Sequence, residues 1–167
     1  MDEFATIVTE EGDIVIRLDW DNTPVHAQNF KKLVSEKFYD GMFFQRIVPN
    51  FLIQIGDPNT KPGVVPPWGP IDCGYTIPHE IVPGKMHVRG VLNAARQDDQ
   101  FNPEKKSNGS QFCIFVGEGK HLDGNYTIFG EVVEGLEIAD KIVNKPRNER
   151  DFPIEHVRVK IIMGRQK

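Results

Sequence analysis

Arg46 is the residue whose setting is most unusual. It lies in residues 44–57, FQRIVPNFLIQIGD, where a strand-like stretch sets a fixed cation among Phe44, Phe51 and Leu52, with the amide of Gln54 further along. Arginine stays charged at any working pH and presents several N–H donors in one plane. Two later stretches also mix polar and apolar side chains, NGSQF at 108–112 and HLDG at 121–124. Spacing alone leaves two readings open. Either these residues share a binding surface, or Arg46 is an exposed strand residue and its aromatic neighbours belong to the core.

Other groups with chemical potential are weaker candidates. There is no Gly-x-Gly-x-x-Gly, and Gly119-Lys120 lacks the upstream glycine of a phosphate-binding loop. The five histidines, at 26, 79, 87, 121 and 156, form no i, i+4 pair and have no neighbouring cysteine. No metal site is therefore expected, and the imidazoles should be solvated or locally hydrogen-bonded. Cys113 falls in an apolar run, where a nucleophile would need a lowered pKa and a positioned base; a buried structural thiol is the expectation. Asp98 and Asp99 share a polar loop without the apolar surroundings that would split their pKa values, so both should be solvated. Asn108-Gly109-Ser110 and Asn125-Tyr126-Thr127 match the glycosylation sequon but read first as turns.

The elements that must hold these residues follow from hydrophobic period. Residues 4–18 mostly alternate, with Ile14, Ile16 and Leu18 on one face and Glu11-Gly12 as the turn, which predicts a β-hairpin. Thr23-Pro24 offers an N-cap and a first-position proline, and Phe30, Leu33, Val34 and Phe38 follow at helical spacing. Residues 43–55 return to β-type composition with a bend at Pro49-Asn50, placing Arg46 on one arm and Gln54 on the other. Residues 57–85 contain seven prolines and predict a long surface connection with little regular structure. Residues 87–95, 110–116 and 126–133 read as strands, the first two separated by the polar stretch RQDDQFNPEKKSNG. A short helix over 135–143 would turn Leu136, Ala139, Ile142 and Val143 inward, and Val157, Val159 and Ile161 alternate in a last strand.

A chain of 167 residues, 39% hydrophobic and 26% charged, fits one domain over 1–167. Its net charge of -4 argues against a general nucleic-acid binder. The acidic, alternating start is unlike a signal peptide, and no apolar run reaches membrane-spanning length, so a cytoplasmic protein with no membrane partner is expected. Few crossover helices imply a largely antiparallel sheet. Seven or eight short strands must then curl into a barrel or split into a sandwich, and the pattern does not choose.

The ordered segments FxxRIVPxFLIQxGD, GVLNAAR, NGSQFCIF and HLDGxYTIFGEVVEG closely resemble cyclophilins, the cyclosporin-binding peptidyl-prolyl cis-trans isomerases, over nearly the whole chain. The resemblance implies a closed eight-stranded antiparallel β-barrel capped by two α-helices, with a groove on its outer wall. It implies a monomer that assists protein folding by isomerising Xaa-Pro bonds in peptides and flexible or unfolded segments, with no cofactor. Arg46, Phe51 and Gln54 match catalytic positions. Leu52, Ala95, Arg96, Gln111, Phe112, Cys113, His121, Leu122 and Tyr126 match substrate-binding positions. Departures bear on both roles. Cys113 replaces a phenylalanine that walls the proline pocket, so weaker catalysis is expected. His121 replaces a tryptophan that donates to cyclosporin, so weaker cyclosporin binding is expected. Arg96 replaces an asparagine and Gln45 a motif histidine, and the 97–106 loop is long for the family. A non-catalytic proline-peptide-binding module of the same fold is the alternative. A small-molecule carrier is a third reading, and large side chains alternating along the strands argue for a filled interior instead.

Overall fold

The alternation near the start becomes a hairpin of β1 (Asp2–Thr9) and β2 (Gly12–Asp19) in the computed structural model, which describes residues 2–64 and 73–165. Pro24 opens α1 (Pro24–Ser35), but Thr23 makes no side-chain cap. The carboxylate of Glu80 takes over that task, accepting from the N–H groups of Val25 (3.1 Å) and His26 (2.8 Å). An anion there satisfies orphan donors and complements the helix dipole.

β3 (Arg46–Val48) and β4 (Leu52–Ile55) are joined as the Pro49-Asn50 signal predicts. The Phe51 N–H donates to the Val48 carbonyl (3.0 Å), and Asn50 takes a φ of 64°. Proline second and a left-handed asparagine third is the signature of a type II turn. The connection expected to lack regular structure contains a 3-10 turn at Pro58–Thr60 and β5 (Thr76–Ile77), which pairs with β7 (Ser107–Asn108). Residues 65–72 of that connection lie outside the described residues. The remaining strands are β6 (Val91–Ala94), β8 (Phe112–Phe115), β9 (Ile128–Glu134) and β10 (Val159–Met163), with α2 (Leu136–Val143) between the last two.

Eight strands form one antiparallel sheet in the order β10-β1-β2-β9-β6-β8-β4-β3. Strand pairing does not complete the expected closed barrel, and the sheet is a curled half-barrel. β3 has three residues, and its Ile47 N–H donates to the Asp151 carbonyl (2.9 Å), so the loop around 151 occupies the edge that β10 would need. Across that seam the described residues make one isolated bridge, Phe43 with Arg158, just ahead of the two strands. α1 packs against β10 and β2, and α2 against β2, β4 and β3. Ile7, Ile16, Ile47, Ile53, Phe112 and Ile114 fill the concave side. The convex side carries a second, smaller apolar cluster of Leu52, Cys113 and Phe115, flanked by Val48, Phe51, Val91 and Leu122.

Candidate active site

Strand register carries the candidate residues into one row on the convex face. Arg46 pairs with Gln54, Gln54 with Cys113, and Cys113 with Asn93. Directly opposed residues share a face, so these four side chains stand side by side across β3, β4, β8 and β6. Arg46 is exposed, sits 6.0 Å from the centre of the Phe51 ring, and has Gln54 Oε1 at 3.5 Å. The Phe51 ring meets Phe115 edge-on at 5.6 Å and lies 5.5 Å from the His121 ring. Gly117 lets this turn approach the sheet: a Cβ there would run into the Asn50 carbonyl.

The row and its neighbours enclose a depression of about 230 Å³. All the expected site residues line it except Gln111 and Phe112, and Asn93 joins them. Gln111 lies in an adjoining groove of about 590 Å³, bordered by the 97–106 loop and continuous with the depression at Gln54, Ala95 and Arg96. Phe112 does not reach either. It points into the main core, edge-on to Phe30 (5.4 Å) and Tyr39 (5.6 Å), because adjacent strand residues face opposite sides. Asn93 escaped the sequence reading, although a polar residue within the apolar GVLNAAR run was its signal.

Cys113 is buried, and burial pushes its thiol up to about 12 against the opposing influence of Arg46. It has no use as a nucleophile, since almost no thiolate exists near neutrality. In the folded protein iodoacetamide is expected to label the half-exposed Cys73 and to spare Cys113 until denaturant is added, which intact-mass analysis reads directly.

Arg96 is more engaged than its expected role suggests. Its side chain is only 5% exposed and pairs with Asp99 (3.0 Å). It donates to the carbonyls of Asn125 and Gln97 (both 2.8 Å) and lies 4.4 Å from the centre of the Tyr126 ring. One guanidinium thus ties the end of β6, the 97–106 loop and the 121–126 segment together. Arg96→Ala is expected to cost about 1–3 kcal/mol of stability. It should also loosen Tyr126, visible as altered ring resonances by NMR.

Two histidines are hydrogen-bonded, as one half of the expectation has it, but are buried and reach partners mostly distant in sequence. His87 bonds through Nδ1 to Asp123 (2.9 Å), and its Nε2 faces Asn93 Nδ2 (3.1 Å). Burial pulls its pKa down, so Nδ1–H donates to Asp123 while Nε2 accepts from Asn93. His26 joins Glu80 (2.6 Å) to Ser107 Oγ (2.7 Å), an outline resembling a hydrolase triad. Ser107 is buried, however, and the adjoining void is about 20 Å³, too little for an acyl substrate. That chain braces α1 against β7.

A model of the cyclophilin type peptidyl-prolyl cis-trans isomerase domain matches residues 4–163. The chain belongs to the cyclophilin family. Among its relatives, peptidyl-prolyl cis-trans isomerase-like 3 of Gallus gallus is 37% identical over 161 residues, covering 95% of this chain and 93% of that protein. Peptidyl-prolyl cis-trans isomerase CYP18-1 of Arabidopsis thaliana is 35% identical over 157 residues, covering 93% and 91%. The crystal structure of a Cryptosporidium parvum cyclophilin type peptidyl-prolyl cis-trans isomerase superposes with a TM-score of 0.85 at 27% identity, covering both chains completely. A second structure of that protein, determined in the presence of the dipeptide Ala-Pro, gives 0.82 at 28% identity and covers 98% of this chain and 99% of that one. Among the described residues no helix of this cyclophilin is long and apolar enough to cross a membrane.

Proposed function

We propose that this cyclophilin accelerates rotation about Xaa-Pro bonds in peptides and in flexible or unfolded protein segments, and so assists folding. The observation that carries this reading is the row itself, which holds a permanent donor, Arg46, at the rim of a depression of mixed polarity whose apolar wall is made by Phe51, Leu52 and Leu122. The rotation barrier of about 18–20 kcal/mol comes from delocalisation of the amide nitrogen lone pair into the carbonyl. As the bond twists, that pair localises on nitrogen. A guanidinium donating to it interacts more strongly with the twisted state than with either planar form.

One charge-assisted hydrogen bond contributes roughly 1.5–3 kcal/mol, or about one to two powers of ten in rate. The rest of the acceleration must come from holding the proline ring and orienting the preceding carbonyl in a partly dehydrated groove. In this reading Phe51, Leu52 and Leu122 grip the ring, while Gln54, Gln111 and the Ala95 region position the chain before it. No electron or group transfer takes place. The presence of Ala-Pro with a structural relative supports this choice of ligand.

Cys113 favours a second reading, a proline-peptide-binding module with little turnover, because a small thiol stands in the wall of the depression. Two-dimensional exchange NMR on a Xaa-Pro peptide separates the two. Catalysed cis-trans exchange at substoichiometric protein supports the isomerase, whereas shifted peptide resonances without faster exchange support the module. Cyclosporin added to the same assay should inhibit weakly, since His121 covers less apolar surface than an indole.

A further inference from the structure

Four side chains beside the depression form a hydrogen-bonded line whose direction is fixed at one end. Arg46 Nη1 lies 3.5 Å from Gln54 Oε1, Gln54 Nε2 is 2.9 Å from Gln111 Oε1, and Gln45 Nε2 is 3.2 Å from that same oxygen. A guanidinium has donors and no acceptor, whereas an amide can present either end. Gln54 must therefore turn its oxygen to Arg46, which leaves its NH2 group facing Gln111. Gln111 must then offer its oxygen to that NH2 group. A second neighbour can join that oxygen only as a donor, so Gln45 must turn its NH2 group inward.

The Gln45 oxygen is left at the end of the line. It is buried and has no hydrogen-bond partner among the described residues. A covered amide oxygen without a partner is costly, and turning the Gln45 amide over would instead set two oxygens against each other. The orphan oxygen is thus what the polarity of the line demands.

We infer that Gln45 is a positioning residue: through Gln111 it holds the Gln54 amide in the orientation that accepts from Arg46, and so steadies the guanidinium beside Phe51. This rests on the isomerase reading proposed above. Gln45 does not touch the depression, so it affects the twisted state through Arg46 and leaves the grip on the proline ring alone.

The test compares Gln45→Met, Gln45→His and Arg46→Ala by exchange NMR, thermal melting and side-chain amide spectra. Gln45→Met keeps the bulk and removes both polar ends. It is expected to lower kcat roughly tenfold with KM within about twofold, the effect of losing one hydrogen bond felt in the twisted state. Its melting temperature should not fall, because the orphan oxygen leaves with the amide. The Gln54 side-chain NH2 resonances should shift even without peptide. Gln45→His, which restores a ring N–H for Gln111, should recover most of kcat. Unchanged kcat and unchanged Gln54 resonances in Gln45→Met would overturn the inference, as would parallel loss of kcat, KM and melting temperature. If Arg46→Ala slows exchange while Gln45→Met does not, the positioning role fails alone. If Arg46→Ala leaves exchange unchanged, the isomerase mechanism fails with it.

Discussion

Arg46→Ala is expected to slow catalysed Xaa-Pro exchange by roughly 10- to 100-fold, the equivalent of one charge-assisted hydrogen bond made in the twisted state. Stability should stay within about 0.5 kcal/mol, as for other exposed substitutions away from the core. The side chain is exposed, and its neighbours are the Phe51 ring, 6.0 Å away, and Gln54 through a long interaction, whereas the main core lies on the opposite face of the sheet. Exchange NMR and a thermal melt on the same sample check both halves. Arg46→Lys should fall between the two proteins, because lysine keeps the charge but presents a flexible point donor instead of a planar fork. A variant that remains folded and as fast as the parent would remove Arg46 from the mechanism.

Cys113→Phe is expected to move activity the other way, raising kcat/KM for a Xaa-Pro peptide by about tenfold. The wall of the depression is a thiol clustered with Leu52 and Phe115 and directly opposite Gln54 and Asn93. An aromatic ring there would bury additional apolar surface against the proline. Full burial of one apolar side chain is worth about 1.5–3 kcal/mol, and roughly half of the upper value already corresponds to about a factor of ten. The added volume should cost about 1–3 kcal/mol in stability, since Cys113 is closely packed. Urea unfolding and exchange NMR separate the two effects. If the variant folds and binds the peptide but turns over no faster, the thiol is not what limits the site.

Parts of this architecture were legible from local rules. Pro49-Asn50 announced its turn because a fixed φ followed by a residue tolerant of the left-handed region has few other uses, and that turn alone brings Arg46 opposite Gln54. The arrival of Cys113 and Asn93 in the same row depends on long-range pairing that no local pattern states. The cap on α1 was misplaced for the same reason, since Glu80 lies far along the chain from His26. The residue pattern leaves barrel and sandwich open and the family resemblance implies closure, but closure turns on which group takes the Ile47 N–H, a competition that a loop wins over β10. Phe112 was avoidable. With Gln111 and Cys113 directed outward, alternation sends the residue between them inward.

The two-sided construction of β4 and β8 has a consequence for how this protein can change over generations. Ile53, Ile55, Phe112 and Ile114 face one way, into the main core; Leu52, Gln54 and Cys113 face the other and line the depression. Replacements on the groove side spare the concave packing, so what they cost in stability is confined to the smaller convex cluster of Leu52, Cys113 and Phe115. Cys113 and His121 both lie on that second surface, where a change of side chain alters the depression and leaves the concave scaffold as it is.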